Sequence, residues 1–149
     1  MDQSKYRSEV IEKFIACEMM INAIISQHYF KKIHKDFYFI VLYDEYFNFG
    51  LRRRILEKLV KDLDKKMIQK LNRLNTIRNY FAHCDIKYID DPENTTYENN
   101  GIILDPRNPE NMLVDFESLY KEFIEKEEEV MPYLTKIFEK MGGKIMDPD

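Results

Sequence analysis

The chain is poor in residues that break or staple structure. Four Gly and five Pro in 149 residues are too few for the turns of a sandwich or barrel of short strands, which favours long helices. Two cysteines, Cys17 and Cys84, form neither a disulfide framework nor a metal-ligand spacing, and they read as reduced thiols of a cytoplasmic protein. His28 and His34 stand without a cluster of further ligands, and there is no Gly-rich phosphate loop, so neither a metal nor a cofactor is expected. Glu9, Glu12, Lys13 and Glu18 interrupt what would be the apolar region of a signal peptide. The apolar run 14–30 contains Glu18, Asn22, Gln27 and His28, which a lipid-exposed span would not carry, so no membrane association is expected.

What the chain does have is bulk and charge. Hydrophobic residues make up 44%, with ten Tyr and ten Phe, enough for one domain over 1–149 with a real core. The net charge of −4 conceals an asymmetry: residues 51–87 carry 11 Lys/Arg against 4 Asp/Glu, and residues 88–149 carry 6 against 16. A local positive field can recruit polyanions even on an acidic protein. The plain alternative is a solvated basic face.

Val10, Phe14, Cys17, Met20/Ile21 and Ile24/Ile25 recur every three or four residues and predict a helix over roughly 4–33. Residues 36–48 are almost solidly aromatic and aliphatic. They are expected to form a helix capped by Asp36, buried on at least two faces in the core or in an oligomer interface, and ended by 48–50. Leu51, Ile55, Leu56, Leu59 and Leu63 mark the next helix, with Asp62 or Asp64 able to restart the chain. Met67, Leu71, Leu74, Ile77 and Phe81 mark another helix, ending near His83. The turn-rich stretch 86–112 holds two β-like runs, 86–89 and 102–104, and reads as a small hairpin or irregular insertion. Asp115 is a plausible N-cap for a last helix, with acidic 125–129 in solvent and Pro132 expected to kink or split it. Gly142 and Gly143 end that helix, and 143–149 reads as a loose tail. The architecture is an all-α, up-and-down bundle of four to five helices with the insertion before the last one.

One constellation could carry chemistry. Asn79 and His83 are four apart and share a helix face. Arg78 is rotated ~100° from Asn79, but its long side chain can swing over the same surface. RNA cleavage by internal transesterification needs a base, an acid and positive charge at the phosphorane. Histidine suits either proton role, arginine offers a fixed fork to phosphate oxygens, and asparagine can orient either group. One histidine cannot be base and acid in one step, so this chemistry favours a homodimer with a composite site. Taken singly, His83 reads as a C-terminal histidine complementing the helix dipole, and Arg78 as a partner for an acidic neighbour. Arg52, Arg53 and Arg54 are candidates for RNA phosphate contacts, or for a solvated face ion-paired with the acidic last helix.

The stretch 71–83, LNRLNTIRNYFAH, resembles the signature of the HEPN superfamily, in which an Arg precedes a His by four to six residues, often as Arg-Asn…Ala-His. Upstream, the run from Phe47 to Leu59 is similar to the preceding helix of HEPN-like groups, including the mannitol-repressor-like one. The resemblance implies a dimerising helical bundle and, in many members, a metal-independent endoribonuclease acting on single-stranded RNA as a toxin, defence effector or RNA-processing enzyme. It carries the motif roles onto Arg78 and His83, with Asn79 at the polar position after the Arg. HEPN toxins paired with nucleotidyltransferase antitoxins usually have Tyr two residues after the His. This chain has Asp85 there, which sets it apart from that subgroup. Other members imply a non-catalytic module that binds RNA, nucleotide or a regulatory protein, so an antitoxin or regulator is also a possible partner.

Overall fold

The computed structural model describes residues 3–83, 85–87, 102–104 and 114–145. Four long helices, α1 (Gln3–Phe30), α2 (Phe49–Leu59), α3 (Lys65–His83) and α4 (Phe116–Lys140), pack against one another. Three short strands, β1 (Asp85–Lys87), β2 (Ile102–Leu104) and β3 (Val114–Asp115), lie between α3 and α4 in chain order. The chain is an all-α bundle carrying this small ribbon.

α1 is the central element and touches each of the other three helices. Its residues 21–27 are all buried, polar ones included. Each buried polar side chain there has a defined partner, as burial demands. The Asn22 side-chain oxygen accepts from Arg52 Nε at 2.8 Å. Ser26 Oγ donates to the Lys32 carbonyl at 3.0 Å and accepts from the His34 amide at 2.8 Å. Gln27 Nε2 donates to the Met141 carbonyl at 3.1 Å. The polar residues in the apolar run thus fasten α1 to its following loop, to α2 and to the end of α4. Among the described residues, no helix is long and apolar enough to cross a membrane.

The core follows the helical spacing. Val10, Phe14, Cys17, Ile21 and Ile24 of α1 meet Leu71, Leu74, Ile77 and Phe81 of α3 and Leu119, Phe123, Val130, Leu134 and Phe138 of α4. Each such side chain contributes roughly 1.5–3 kcal/mol by leaving water. Burial pushes the Cys17 thiol up to about 12, helped by the nearby Glu127 and Glu18 charges, so it is an inert core residue. Cys84 lies outside the described residues.

Helix ends follow the local chemistry. The Asn48 side chain accepts from the Leu51 amide at 3.0 Å and caps α2, so Asn48 opens that helix rather than ending the one before it. The Asp64 side chain accepts from the Lys66 amide at 2.8 Å at the start of α3. Asp115 accepts from the Ser118 amide at 3.1 Å and caps α4. α4 ends with Gly142 at φ 87°, the Gly142 amide on the Glu139 carbonyl and the Gly143 amide on the Phe138 carbonyl. This is a Schellman termination, which needs the left-handed conformation that glycine adopts freely.

Four expectations are corrected. The aromatic segment 36–48 is not a buried helix: one π-helical turn, Phe37–Val41, is followed by turns. Only Tyr38 and Leu42 of that run enter the core, while Phe39, Ile40, Val41, Tyr43 and Tyr46 remain exposed. α1 ends at Phe30 rather than 33, because Lys31 turns to φ 57°. Pro132 does not split α4. Pro132 and Glu128 both lie on the exposed face of the helix, where the amide that proline lacks costs least, and the buried Val130, Leu134 and Ile137 anchor the helix on either side of Pro132. Within the acidic stretch, Glu127 is buried and pairs with Lys13 at 3.2 Å, so 125–129 is not uniformly solvated.

The insertion is antiparallel as far as it is described. Ile86 pairs with Ile103 in β1 and β2, and Ile103 pairs with Val114 in β3. Residues 88–101 and 105–113 of the expected hairpin, and 146–149 of the expected tail, lie outside the described residues.

Candidate functional site

The inner face of α3, Leu71, Leu74, Ile77 and Phe81, fixes how the motif is presented. Phe81 packs on Phe116 with ring centroids 4.8 Å apart, so the last turn of α3 is held against the start of α4. His83 then falls at the exposed end of the helix, where a cationic imidazole complements the dipole. Asn79 is half-buried one turn earlier on the same face.

Arg78 takes a different direction. Its guanidinium lies over the Phe14 ring of α1, 4.7 Å from the centroid. Nη2 donates to the Asn75 side-chain oxygen at 3.0 Å, and Nε is buried without a hydrogen-bond partner. The helix geometry explains the divergence, because positions five apart differ by about 140° around the axis. Arg78 therefore occupies the α1–α3 seam, and His83 faces out. Among the described residues the His83 side chain makes no hydrogen bond or ion pair, with Arg78 and Asn79 or with any other group.

The seam is a polar cluster larger than the motif. Glu18 Oε1 lies 3.4 Å from Arg52 Nη1. Burial raises the Glu18 carboxyl above its ordinary value, while the charges of Arg52 and Arg78 draw it back. Glu18 thus sits in the field of two guanidinium groups, one from α2 and one from α3. The sequence shows Glu18 and Asn22 only as interruptions of an apolar run and gives Asn75 no role at the site. The available signal was Glu18 and Asn22 at i, i+4 in an otherwise apolar run, and Asn75 three residues before Arg78.

The three consecutive arginines have separate fates. Arg52 is buried: Nε donates to Asn22, Nη2 donates to the Leu42 carbonyl at 2.5 Å, and the guanidinium lies 5.7 Å from the Phe47 ring centroid. Its fork is consumed inside the fold, which removes it as a phosphate contact. Arg53 is half-buried and pairs with Glu57 on its own helix at 3.7 Å. Arg54 alone is exposed. The ion pairs to the acidic last helix come instead from α1, through Lys13, and from α3. Arg73 makes a two-pronged contact with Glu122, both bonds 2.8 Å, and Lys70 pairs with Glu129. The Arg73 hydrogen bonds hold the Glu122 carboxyl below its ordinary value. Among the described residues no group of three His, Cys, Asp or Glu side chains could hold a metal ion.

Comparison with protein-family models, with curated proteins and with solved structures returns no match of any of the three kinds.

Proposed function

We propose that the protein is a metal-independent endoribonuclease of HEPN type, acting on single-stranded RNA as a homodimer with a composite site. The observation that carries this reading is the exposed His83 at the end of α3, with Asn79 one turn before it on the same face. In the reaction, a base takes the 2′-hydroxyl proton and the 2′-oxygen bonds to phosphorus. The P–O5′ bond breaks, and an acid protonates the leaving 5′-oxygen, giving a 2′,3′-cyclic phosphate and a 5′-hydroxyl end. His83 of one copy serves as base and that of the second as acid. Arg78 supplies positive charge to the phosphorane, which requires its guanidinium to leave Phe14 when RNA binds. Such a nuclease would serve as a toxin or defence effector in the cytoplasm.

The test is cleavage of a single-stranded RNA in EDTA. The wild type should cut, and His83→Ala should lose about 10²–10⁴-fold, the usual weight of a general acid–base group. Equal rates for the two proteins would refute the reading.

A second reading has its own observation. Arg78 already has a place over Phe14 and beside Asn75, as in a non-catalytic module that binds RNA, nucleotide or a regulatory protein. Under that reading Arg78→Ala lowers the melting temperature, and no RNA is cut by any variant.

A further inference from the structure

α1 and α4 run side by side in the same direction, with Lys13 meeting Glu127 and Gln27 meeting the Met141 carbonyl. Between the C-terminal half of α1 and the end of α4 lies a groove of about 680 Å³, within the roughly 300–1,000 Å³ typical of small-molecule sites. Its floor is one stripe of α1, formed by Ala16, Met19, Met20 and Ala23 at the three- and four-residue spacing of a single helix face. Met131 and Phe138 of α4 and Tyr38 stand beside the stripe. The Tyr38 hydroxyl donates to the Met19 carbonyl at 3.2 Å, which fixes that side of the groove.

The charge of the groove is one-sided. On a chain of net charge −4, it is lined by Lys31, Lys32 and Lys144 and by no Asp or Glu. All three lysines are exposed, and none is in an ion pair among the described residues. They gather where both helices stop, Lys31 and Lys32 directly after Phe30 and Lys144 directly after the Gly142–Gly143 termination. Lysines beside helix C-termini often do no more than complement the dipole. Here the backbone goes further. Lys31 holds φ 57°, a left-handed conformation that a residue with a Cβ rarely adopts and that persists only where the surroundings fix it. Ser26, wholly buried, does the fixing through its bonds to the Lys32 carbonyl and the His34 amide. The cationic end of the groove is therefore held in place before any ligand arrives, which lowers the cost of binding.

We propose that this groove binds a free long-chain carboxylate, its head among Lys31, Lys32 and Lys144 and its chain along the methionine stripe toward Ala16 and Met131. Cations at one end and apolar side chains along the rest match an anionic amphiphile in both charge and order. The floor is one row of side chains wide, which suits one acyl chain. From Gln27 to Ala16 the stripe runs about 16 Å at 1.5 Å per residue. That is the reach of about a dozen carbons in a zigzag of ~1.5 Å bonds. Methionines adapt to a flexible chain where branched side chains would not. The groove lies at the end of α4, whereas the last turn of α3, with His83, is held against its start at Phe116. The site is thus separate from the nuclease reading and stands whether or not RNA is cut.

Isothermal titration calorimetry of the full chain with dodecanoate, kept below its micelle concentration, should show a single saturable site with a micromolar Kd. Decanoate and octanoate should bind more weakly, by about two- to fourfold for each methylene removed. Dodecyltrimethylammonium, with the same tail and a cationic head, should bind about tenfold more weakly than dodecanoate. The exposed-site variant Lys31→Glu/Lys32→Glu/Lys144→Glu should keep its helical circular dichroism spectrum, lose about tenfold in dodecanoate affinity and prefer the cationic amphiphile. Ala16→Trp, which fills the far end of the stripe, should weaken dodecanoate more than octanoate. Absence of saturable dodecanoate binding overturns the proposal, as does equal binding of the two head groups or indifference to the lysine reversal. Binding to phosphatidylcholine–phosphatidylglycerol vesicles without binding of submicellar dodecanoate overturns it in favour of a membrane surface.

Discussion

Arg52 offers the sharpest test of how the basic segment is used. Replacing it with Ala removes the donors to Asn22 and to the Leu42 carbonyl, both groups buried. Each stranded acceptor costs about 1–3 kcal/mol. Glu18, raised by burial and drawn down by Arg52 and Arg78, also loses its nearer cation. The total falls at about 3–5 kcal/mol, the usual cost of breaking a buried pair. For a domain of this size that lowers the melting temperature by about 10 °C. Arg52→Lys recovers only part of this, because one ammonium cannot serve acceptors arranged for a planar fork. The deficit also depends on pH with a definite sign. A carboxyl whose folded pKa lies above its unfolded value stabilises the fold when protonated and destabilises it as pH rises through the folded value. Removing Arg52 pushes Glu18 further in that direction, so the deficit should shrink as pH is lowered toward the carboxylate range. Urea unfolding across that range measures both effects, with Arg53→Ala and Arg54→Ala as controls expected within ~0.5 kcal/mol of wild type. An Arg52→Ala protein that loses less than about 1 kcal/mol but binds RNA more weakly would refute the reasoning.

Two further outcomes concern α4. The Glu122 carboxyl is held below its ordinary value of 4.5, first by the hydrogen bonds from Arg73. That stabilisation is present above the unfolded value and is lost as pH falls through the lower folded one. Both side chains are about a third exposed, so at neutral pH Glu122→Gln should cost no more than about 1 kcal/mol, with its difference from wild type vanishing in acid melts. Gly143→Ala should be worse, because the added methyl would overlap the Phe138 ring, itself buried. A loss of about 1–3 kcal/mol is expected from such overpacking, and thermal melts of the two variants read both values.

Wherever one face of a helix carries the signal, the sequence alone predicts the element. The inner residues of α3 are the apolar positions that recur at three and four, and the Asp115 and Gly142 caps lie where turn chemistry puts them. The segment 36–48 misleads for a physical reason: continuous apolar character says that residues leave water, not that they do so inside one chain. A lone chain buries Tyr38 and Leu42, half-buries Phe37 and Phe47 and leaves Phe39, Ile40, Val41, Tyr43 and Tyr46 exposed. As a splitting signal Pro132 misleads because its cost depends on where it falls, and here it lies with Glu128 on the exposed face of α4. At the candidate site, the shared face of Asn79 and His83 is legible from their spacing. The inward turn of Arg78 is not, because it depends on Phe14, distant in sequence and opposite in space.

The charge asymmetry takes on a different meaning once the helices are placed. Much of the excess of basic residues in 51–87 is spent within the fold: Arg52 inside, Arg53 on Glu57, Lys70 on Glu129 and Arg73 on Glu122. The pairs across α3 and α4 join the basic segment to the acidic one, so the opposed charges along the chain serve partly to match two helices. What remains exposed is Arg54 and Lys58 on α2 and Lys61, Lys65 and Lys66 around the turn to α3, none in an ion pair among the described residues, with the exposed Asp62 and Asp64 among them. That cluster begins at the N-terminal end of α3, and His83 marks the other end, about 27 Å away at 1.5 Å per residue. A polyanion drawn by this field would meet the protein at the lysines first and would have to extend the length of α3 to reach the histidine. Under the proposed nuclease reading, salt should therefore act on RNA capture through the lysine cluster, and substitutions at His83 should leave that capture intact while removing cleavage.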